Sequence, residues 1–285
     1  MSTYELGKML ETAGLTASDV DIKILRFTQM GAAFANKAID AALVIPPFTY
    51  EFAQQLFIGD DERHTEWTFD REIGEPLVDQ LLSPTGPMLA ETADGHALDV
   101  DRLSRLLDLI GPAVVMSHSA GGPAGWLLAD ARPDLVKALV AVEPMGPPFN
   151  PLFGRGLAYG LAGAPLTYDP PVSSPDELEL VESPPKAEGL PPTFLQQEPA
   201  RTLPRLAGVP TVLVSGEVSV FAHFNEGTLA YLHQAGVPAD RMHLPDHGVT
   251  GNGHAMMFER NSDKALQPIL DWLAEHVPGT DTAPR

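Results

Sequence analysis

Ala113-Val114-Val115-Met116-Ser117-His118-Ser119-Ala120-Gly121-Gly122 reads as a short apolar run, a serine between small residues, and the opening of a helix. Four consecutive apolar residues at 113–116 fit a strand buried on both faces. Residues 121–131 then read as a helix that follows a tight turn. Such a strand-turn-helix lifts the middle residue of the turn above the sheet, and crowding requires small residues two positions before and two after it. Ser117 and Gly121 meet that requirement. Ser119 is therefore a candidate nucleophile, and the backbone N–H of Ala120, the next residue, is a candidate donor to an oxyanion. The usual first small residue is glycine, so Ser117 is a mild departure. The alternative is a chance Ser-x-Ser-x-Gly in a loop, and the strand before it and the helix after it weigh against that.

Outward from this turn the pattern stays regular. Residues 136–142 form an unbroken apolar run, 211–214 another, and 241–244 a last short one. Residues 225–234, between the last two, and 264–276, after the last, have helical spacing, the second with Leu266, Ile269, Leu270 and Leu273 on one face. Upstream, Leu103, Leu106, Leu107 and Ile110 place a helix over 98–110, with Asp99 as its N-cap. Strands alternating with helices predict a mostly parallel, doubly wound α/β sheet covered on both sides. An irregular insert interrupts it: 14 of the 28 prolines fall between Pro144 and Pro204. Proline at that density breaks regular elements. Residues 145–205 are read as a cap over a pocket rather than a disordered spacer, because Phe149, Phe153, Tyr159 and Phe194 supply apolar anchors.

The front of the chain differs. Residues 1–55 read as a small α/β piece, with helices over 4–13 and 29–38 and strands over 20–25 and 41–45. Residues 60–64 form a charged turn, 72–82 a short helix, and 83–96 a loop. The expected organisation is a separate segment 1–55, a main domain 56–277 and a tail 278–285.

Composition narrows the function. With 38 acidic and 18 basic residues the formal net charge is −20, a surface that repels nucleic acid and anionic membrane. There are no cysteines among the 285 residues, so disulfides, thiolate metal sites and cysteine nucleophiles are excluded. No run of about 18 apolar residues is present to span a membrane. The first residues lack the basic and apolar regions of a secretory signal, which gives the expectation of a cytoplasmic protein. Nothing calls for a cofactor or a metal, and homo-oligomerisation is left open.

A serine hydroxyl needs a base, and there are nine histidines. His254 lies in a glycine-rich loop, Gly251-Asn252-Gly253-His254, between the last strand and the last helix, with His243 and His247 as rivals nearby. The carboxylate that orients the base belongs at the end of another strand. Glu143 follows the strand 136–142 and Glu217 follows 211–215, and pattern alone does not separate them.

Residues of about 98–277 resemble the α/β-hydrolase superfamily, through the stretch 109–122, through Val140-Ala141-Val142-Glu143-Pro144, and through 251–261. Within it they look most like a bacterial esterase branch that keeps a glutamate after the strand following the nucleophile turn. That resemblance implies a Ser119–His254–Glu143 triad and a small-molecule ester substrate. A weaker match at 56–67 suggests that the hydrolase-like sequence begins near there. Residues 8–16 and 35–42 instead resemble a fragment of nitrate/sulfonate/taurine-type substrate-binding proteins, too short to build either lobe of one. The superfamily implies further strands before the turn and a second oxyanion donor, yet no such strand-loop-helix appears before residue 98. His247-Gly248 lies in the histidine loop and does not supply it. The sheet is therefore expected to have truncated or replaced N-terminal strands, with 20–25 and 43–45, or a partner chain, filling the gap. Three functions compete: an ester hydrolase, a catalytically degenerate hydrolase or binding module, and a solute-binding component.

Overall fold

The runs at 136–142 and 211–215 become strands that alternate their side chains between two largely buried faces. The run at 113–116, expected to be buried on both faces, is only partly covered and leaves Met116 about half exposed. The computed structural model describes Thr16, Asp19 and residues 61–67, 92–149, 157–184, 192–219 and 221–277. The chain divides into two units, Met1–Ala53 and Gln54–Arg285, and the architecture that follows is that of the second. Among the elements read from sequence, those over 4–13, 20–25, 29–38, 41–45 and 72–82, and the tail 278–285, lie outside the described residues.

The described elements run in the order α1 (Thr92–Ile110), β1 (Ala113–His118), α2 (Gly122–Ala131), β2 (Val136–Val142), β3 (Leu180–Ser183), β4 (Thr193–Gln196), α3 (Pro204–Ala207), β5 (Thr211–Ser215), α4 (Ala222–Gln234), β6 (Asp240–His243) and α5 (Ser262–His276). Strands β1, β2, β5 and β6 lie side by side in that order, and every pair is parallel. Parallel neighbours require a crossover each time, and the chain supplies a helix for it. All four strands end at the same rim of the sheet, where their following loops gather.

Period-two alternation sorts the core. Leu139, Ala141 and Leu213 point to one face and pack with Leu107 of α1, Trp126, Leu127 and Leu128 of α2, and Tyr231 and Leu232 of α4. Ala138, Val140, Val142, Val212 and Val214 point to the other face, against Ile269, Trp272 and Leu273 of α5. The sheet is thus wound on both sides. Residues 138–141 are completely buried, and burying a leucine or valine contributes about 1.5–3 kcal/mol.

Two expectations change. Helix α1 begins at Thr92, six residues before the predicted start, and takes in part of the stretch read as loop. The reason is tertiary: His96 is buried, and its Nδ1 accepts the N–H of Gly163 at 2.9 Å, which holds the first turns in place. The insert, in turn, is not simply irregular. It contains an antiparallel hairpin, β3 with β4, and Leu161, Leu166, Tyr168 and Leu178 belong to the same core as α2 and α4. Of the expected anchors, Phe149 and Tyr159 pack against that core, Phe194 lies in β4, and Phe153 is outside the described residues. Phe149 meets Tyr231 edge-on at 5.4 Å. Polar contacts reinforce the seam: Asp130 of α2 accepts the N–H and hydroxyl of Thr167, and the Tyr168 and Tyr231 hydroxyls hydrogen-bond each other. Burial raises the pKa of all three groups.

Candidate active site

Strand β1 ends at His118, a single 3-10 turn covers Ser119–Gly121, and α2 starts at Gly122. So abrupt a change of direction forces Ser119 to φ 54°, a left-handed conformation that a non-glycine residue holds only when its surroundings impose it. The steric demand for small residues falls differently from the expectation. A Cβ on Gly121 would meet nothing within 4 Å, whereas one on Gly122 would lie 2.5 Å from Pro144 Cβ and one on Gly125 2.6 Å from Ser117 Oγ. Gly122 therefore lets α2 approach the end of β2, and Gly125 makes room for the serine that replaces the usual glycine at 117. The Ser117 hydroxyl is buried there with no hydrogen-bond partner among the described residues. Gly122→Ala is expected to destabilise the protein by about 1–3 kcal/mol through overpacking, while Gly121→Ala leaves thermal unfolding nearly unchanged. Melting both variants beside the parent checks this contrast.

The same rim brings the other two side chains in. Glu143 follows β2 and also sits at positive φ, 43°. Its Oε1 accepts the N–H of Gly216 at 2.8 Å, and its Oε2 accepts the Ser219 hydroxyl at 2.5 Å and faces His254 Nδ1 at 2.5 Å. An acceptor at Nδ1 places the imidazole proton there and leaves Nε2 as a lone pair. Nε2 lies 2.8 Å from Ser119 Oγ. Both Glu143 and the His254 ring are shut off from solvent. The imidazole is held from both faces: Phe221 stacks on it at 4.1 Å and 13°, and His118 lies at 4.5 Å on a tilted plane.

His118 is locked as well, since its Nε2–H donates to the carbonyl of His254 at 2.9 Å. Burial, and then the neighbouring His254, push its pKa down to about 4 from the ordinary 6.5. Between those values the unfolded chain takes up a proton that the folded protein refuses. The stability linked to His118 is therefore complete above pH 6.5 and lost as pH falls through 4, with a ceiling of about 3 kcal/mol. His118→Gln is expected to lose less stability than the parent between pH 7.5 and 4.5, as measured by urea unfolding.

A parallel sheet, a strained serine at a strand-helix turn, and loops converging at one rim define the architecture. The fold is of α/β-hydrolase type.

No family model matches the chain. A protein of Fungal sp. (strain ATCC 74256), named probable secreted lipase phiG, is 35% identical over 214 residues, covering 74% of this chain and 59% of that protein. The chain thus spans less than two thirds of the relative's length. Among solved structures, one described as a novel bacterial esterase aligns with a TM-score of 0.49 at 18% identity, over 95% of this chain and 73% of the other. A membrane phospholipase A, described as a bacterial virulence factor, gives 0.38 at 18% identity, over 68% and 67%. The lipase relative is named as secreted, and this overturns the cytoplasmic expectation drawn from the first residues.

The rival residues make their contacts elsewhere. His243 Nδ1 is 3.0 Å from Ser215 Oγ, and His247 is exposed in the 3-10 turn Leu244–His247. Glu217 accepts the N–H of Gly251 at 2.9 Å and faces Arg63 at 4.0 Å; it braces the histidine loop without reaching the histidine. Ala120 is exposed, and its N–H belongs to the first turn of a helix, where backbone donors have no intrahelical partner.

Sequence reading missed His64 and Glu259. The charged turn predicted at 60–64 is present over the described residues 61–64, capped by Asp61, which accepts the N–H of Arg63. Its last residue, however, is buried against the histidine loop, where His64 Nε2 meets Glu259 Oε1 at 2.7 Å. The weak likeness at 56–67 was the available signal. A cavity of about 290 Å³ lies farther along the rim, lined by Leu195, Ser215, Phe224, Arg241 and His243 among others; Ser119, Glu143 and His254 are not in its wall. Among the described residues no group of three or more His, Asp or Glu side chains could hold a metal, and no helix is long and apolar enough to cross a membrane.

Proposed function

We propose that this chain is a serine ester hydrolase that works through an acyl-enzyme on small to medium apolar esters. The observation that carries the reading is the unbroken relay from Ser119 Oγ through His254 to Glu143, with contacts of 2.8 and 2.5 Å. Ser119 Oγ attacks the ester carbonyl carbon as His254 Nε2 takes its proton. The carbonyl oxygen becomes an oxyanion that accepts the Ala120 N–H. Collapse of this intermediate breaks the bond to the alcohol, which leaves with the proton from His254. Water then repeats the sequence and frees the acid. Glu143 keeps the proton on Nδ1 and stabilises the imidazolium that forms.

The 35% identity to a protein named as a lipase supports ester chemistry and an extracellular location. Residues 56–277 form the hydrolase domain in this reading, with 145–205 inserted into it. The test is turnover of p-nitrophenyl butyrate together with covalent labelling of Ser119 by a fluorophosphonate. A folded sample that neither turns over the ester nor takes the label would favour a catalytically degenerate hydrolase.

A further inference from the structure

Under the histidine loop lies a second buried carboxylate that no step of the proposed reaction uses. The Glu259 side chain has no solvent exposure. Its Oε1 accepts the Gly253 N–H at 2.8 Å and faces His64 Nε2 at 2.7 Å, and its Oε2 accepts Asn252 Nδ2 at 2.6 Å. Gly253 and Asn252 are the two residues immediately before His254. The carboxamides of Asn252 and Asn261 pair reciprocally, at 2.6 and 3.0 Å, and close the loop around His254. From outside, the segment 61–67 clamps it: the Glu66 N–H donates to the Gly251 carbonyl, and the Arg260 N–H donates to the Glu66 carbonyl. The fit is close, since a Cβ on Gly253 would come 2.7 Å from His64 Cε1.

A loop holding Gly251 and Gly253 has many backbone conformations open to it, and ordering each residue costs about 1–2 kcal/mol. Phe221 and His118 hold the ring of His254 between their faces, but neither bonds to the two residues before it. Glu259 does. Its two oxygens accept from three different groups, so one side chain ties the backbone at 253, the side chain at 252 and the segment at 64 to a single point.

We propose that Glu259, clamped by His64, is a positioning residue that holds His254 in register with Ser119. The proposal deepens the ester-hydrolase reading and rests on it. A residue of this kind acts on the alignment needed in the transition state, so its loss lowers kcat and spares KM. Misplacement of a catalytic group by about 1 Å costs on the order of 100-fold.

In Glu259→Gln one oxygen remains and the other becomes a donor, so the Gly253 and Asn252 donors cannot both be met. With p-nitrophenyl butyrate, kcat is expected to fall about 10- to 100-fold while KM stays within about twofold. His64→Gln should lower kcat less, and the two losses should be less than additive in the double variant. The His254 Nδ1 proton provides a second readout, as a low-field NMR resonance that is absent in His254→Ala. It should shift or broaden in Glu259→Gln. A Glu259→Gln variant with unchanged kcat, or with the loss confined to KM, overturns the proposal. If Glu259→Gln does not fold, an unaltered kcat and resonance in His64→Gln overturn it. If the parent protein turns over no ester, the ester-hydrolase reading fails separately, and the resonance still decides: unchanged in Glu259→Gln it overturns the positioning role, shifted it supports it.

Discussion

Ser119→Ala is expected to lower kcat for p-nitrophenyl butyrate by about 10,000-fold or more, with KM and the melting temperature little changed. The hydroxyl lies 2.8 Å from His254 Nε2, and the acyl-enzyme needs an oxygen that can form a covalent bond. Water activated by the histidine would be the remaining route, and it lacks the fixed geometry of the turn. Stability should hold because the strain at φ 54° is a property of the backbone and Cβ, which alanine retains. The serine hydroxyl gives up a single bond at a partly solvated edge. The fluorophosphonate adduct must vanish from the mass spectrum of the variant. Purified Ser119→Ala turning over ester within tenfold of the parent would remove Ser119 as the nucleophile.

Glu143→Gln is the second large effect, a loss of about 1,000- to 10,000-fold in kcat. The carboxylate accepts from three donors at once: Gly216 N–H, Ser219 Oγ–H and His254 Nδ1–H. A glutamine has one acceptor oxygen and one donor nitrogen. Whichever way it turns, a donor faces a donor. If the amide nitrogen faces His254, the imidazole must move its proton to Nε2, and it can no longer take one from Ser119. A buried donor left unpaired also costs about 1–3 kcal/mol of stability, so a lower melting temperature should accompany the kinetic loss. Glu217→Gln is the control. Glu217 bonds Gly251 and faces Arg63, outside the relay, and its kcat should stay within a few-fold of the parent. Equal losses in the two variants would withdraw the assignment of the acid to Glu143.

The middle of the sheet was legible because its central parallel strands, β2 and β5, are buried on both faces and so become continuous apolar runs. The run at 136–142 has the same bounds in the structure as in the sequence. The turn at Ser119 was legible for a related reason: a strand running straight into a helix leaves a local signature of apolar residues, small residues and a serine. Less legible were features held by distant contacts. The true start of α1 depends on His96 meeting Gly163, 67 positions away. The hairpin of β3 and β4 is masked by flanking prolines. The close-packed glycine is Gly122 rather than Gly121, because Pro144 at the end of the next strand is what it must clear.

The site divides along the same line. The residue types and their placement after strands were readable one at a time, and they narrowed the acid to two glutamates that local pattern treats alike. The resemblance to esterases implied Glu143, and the packed structure adds a distance across the rim: Glu143 reaches His254, and Glu217 stops at the backbone of Gly251. His64 and Glu259, 195 positions apart, have no local mark at all. Sequence by itself determined the kinds of element and the chemistry available, because propensity, burial period and turn sterics act over a few neighbouring residues. Tertiary structure decided which groups meet, because a hydrogen bond depends on ångströms in space and chain separation does not measure them.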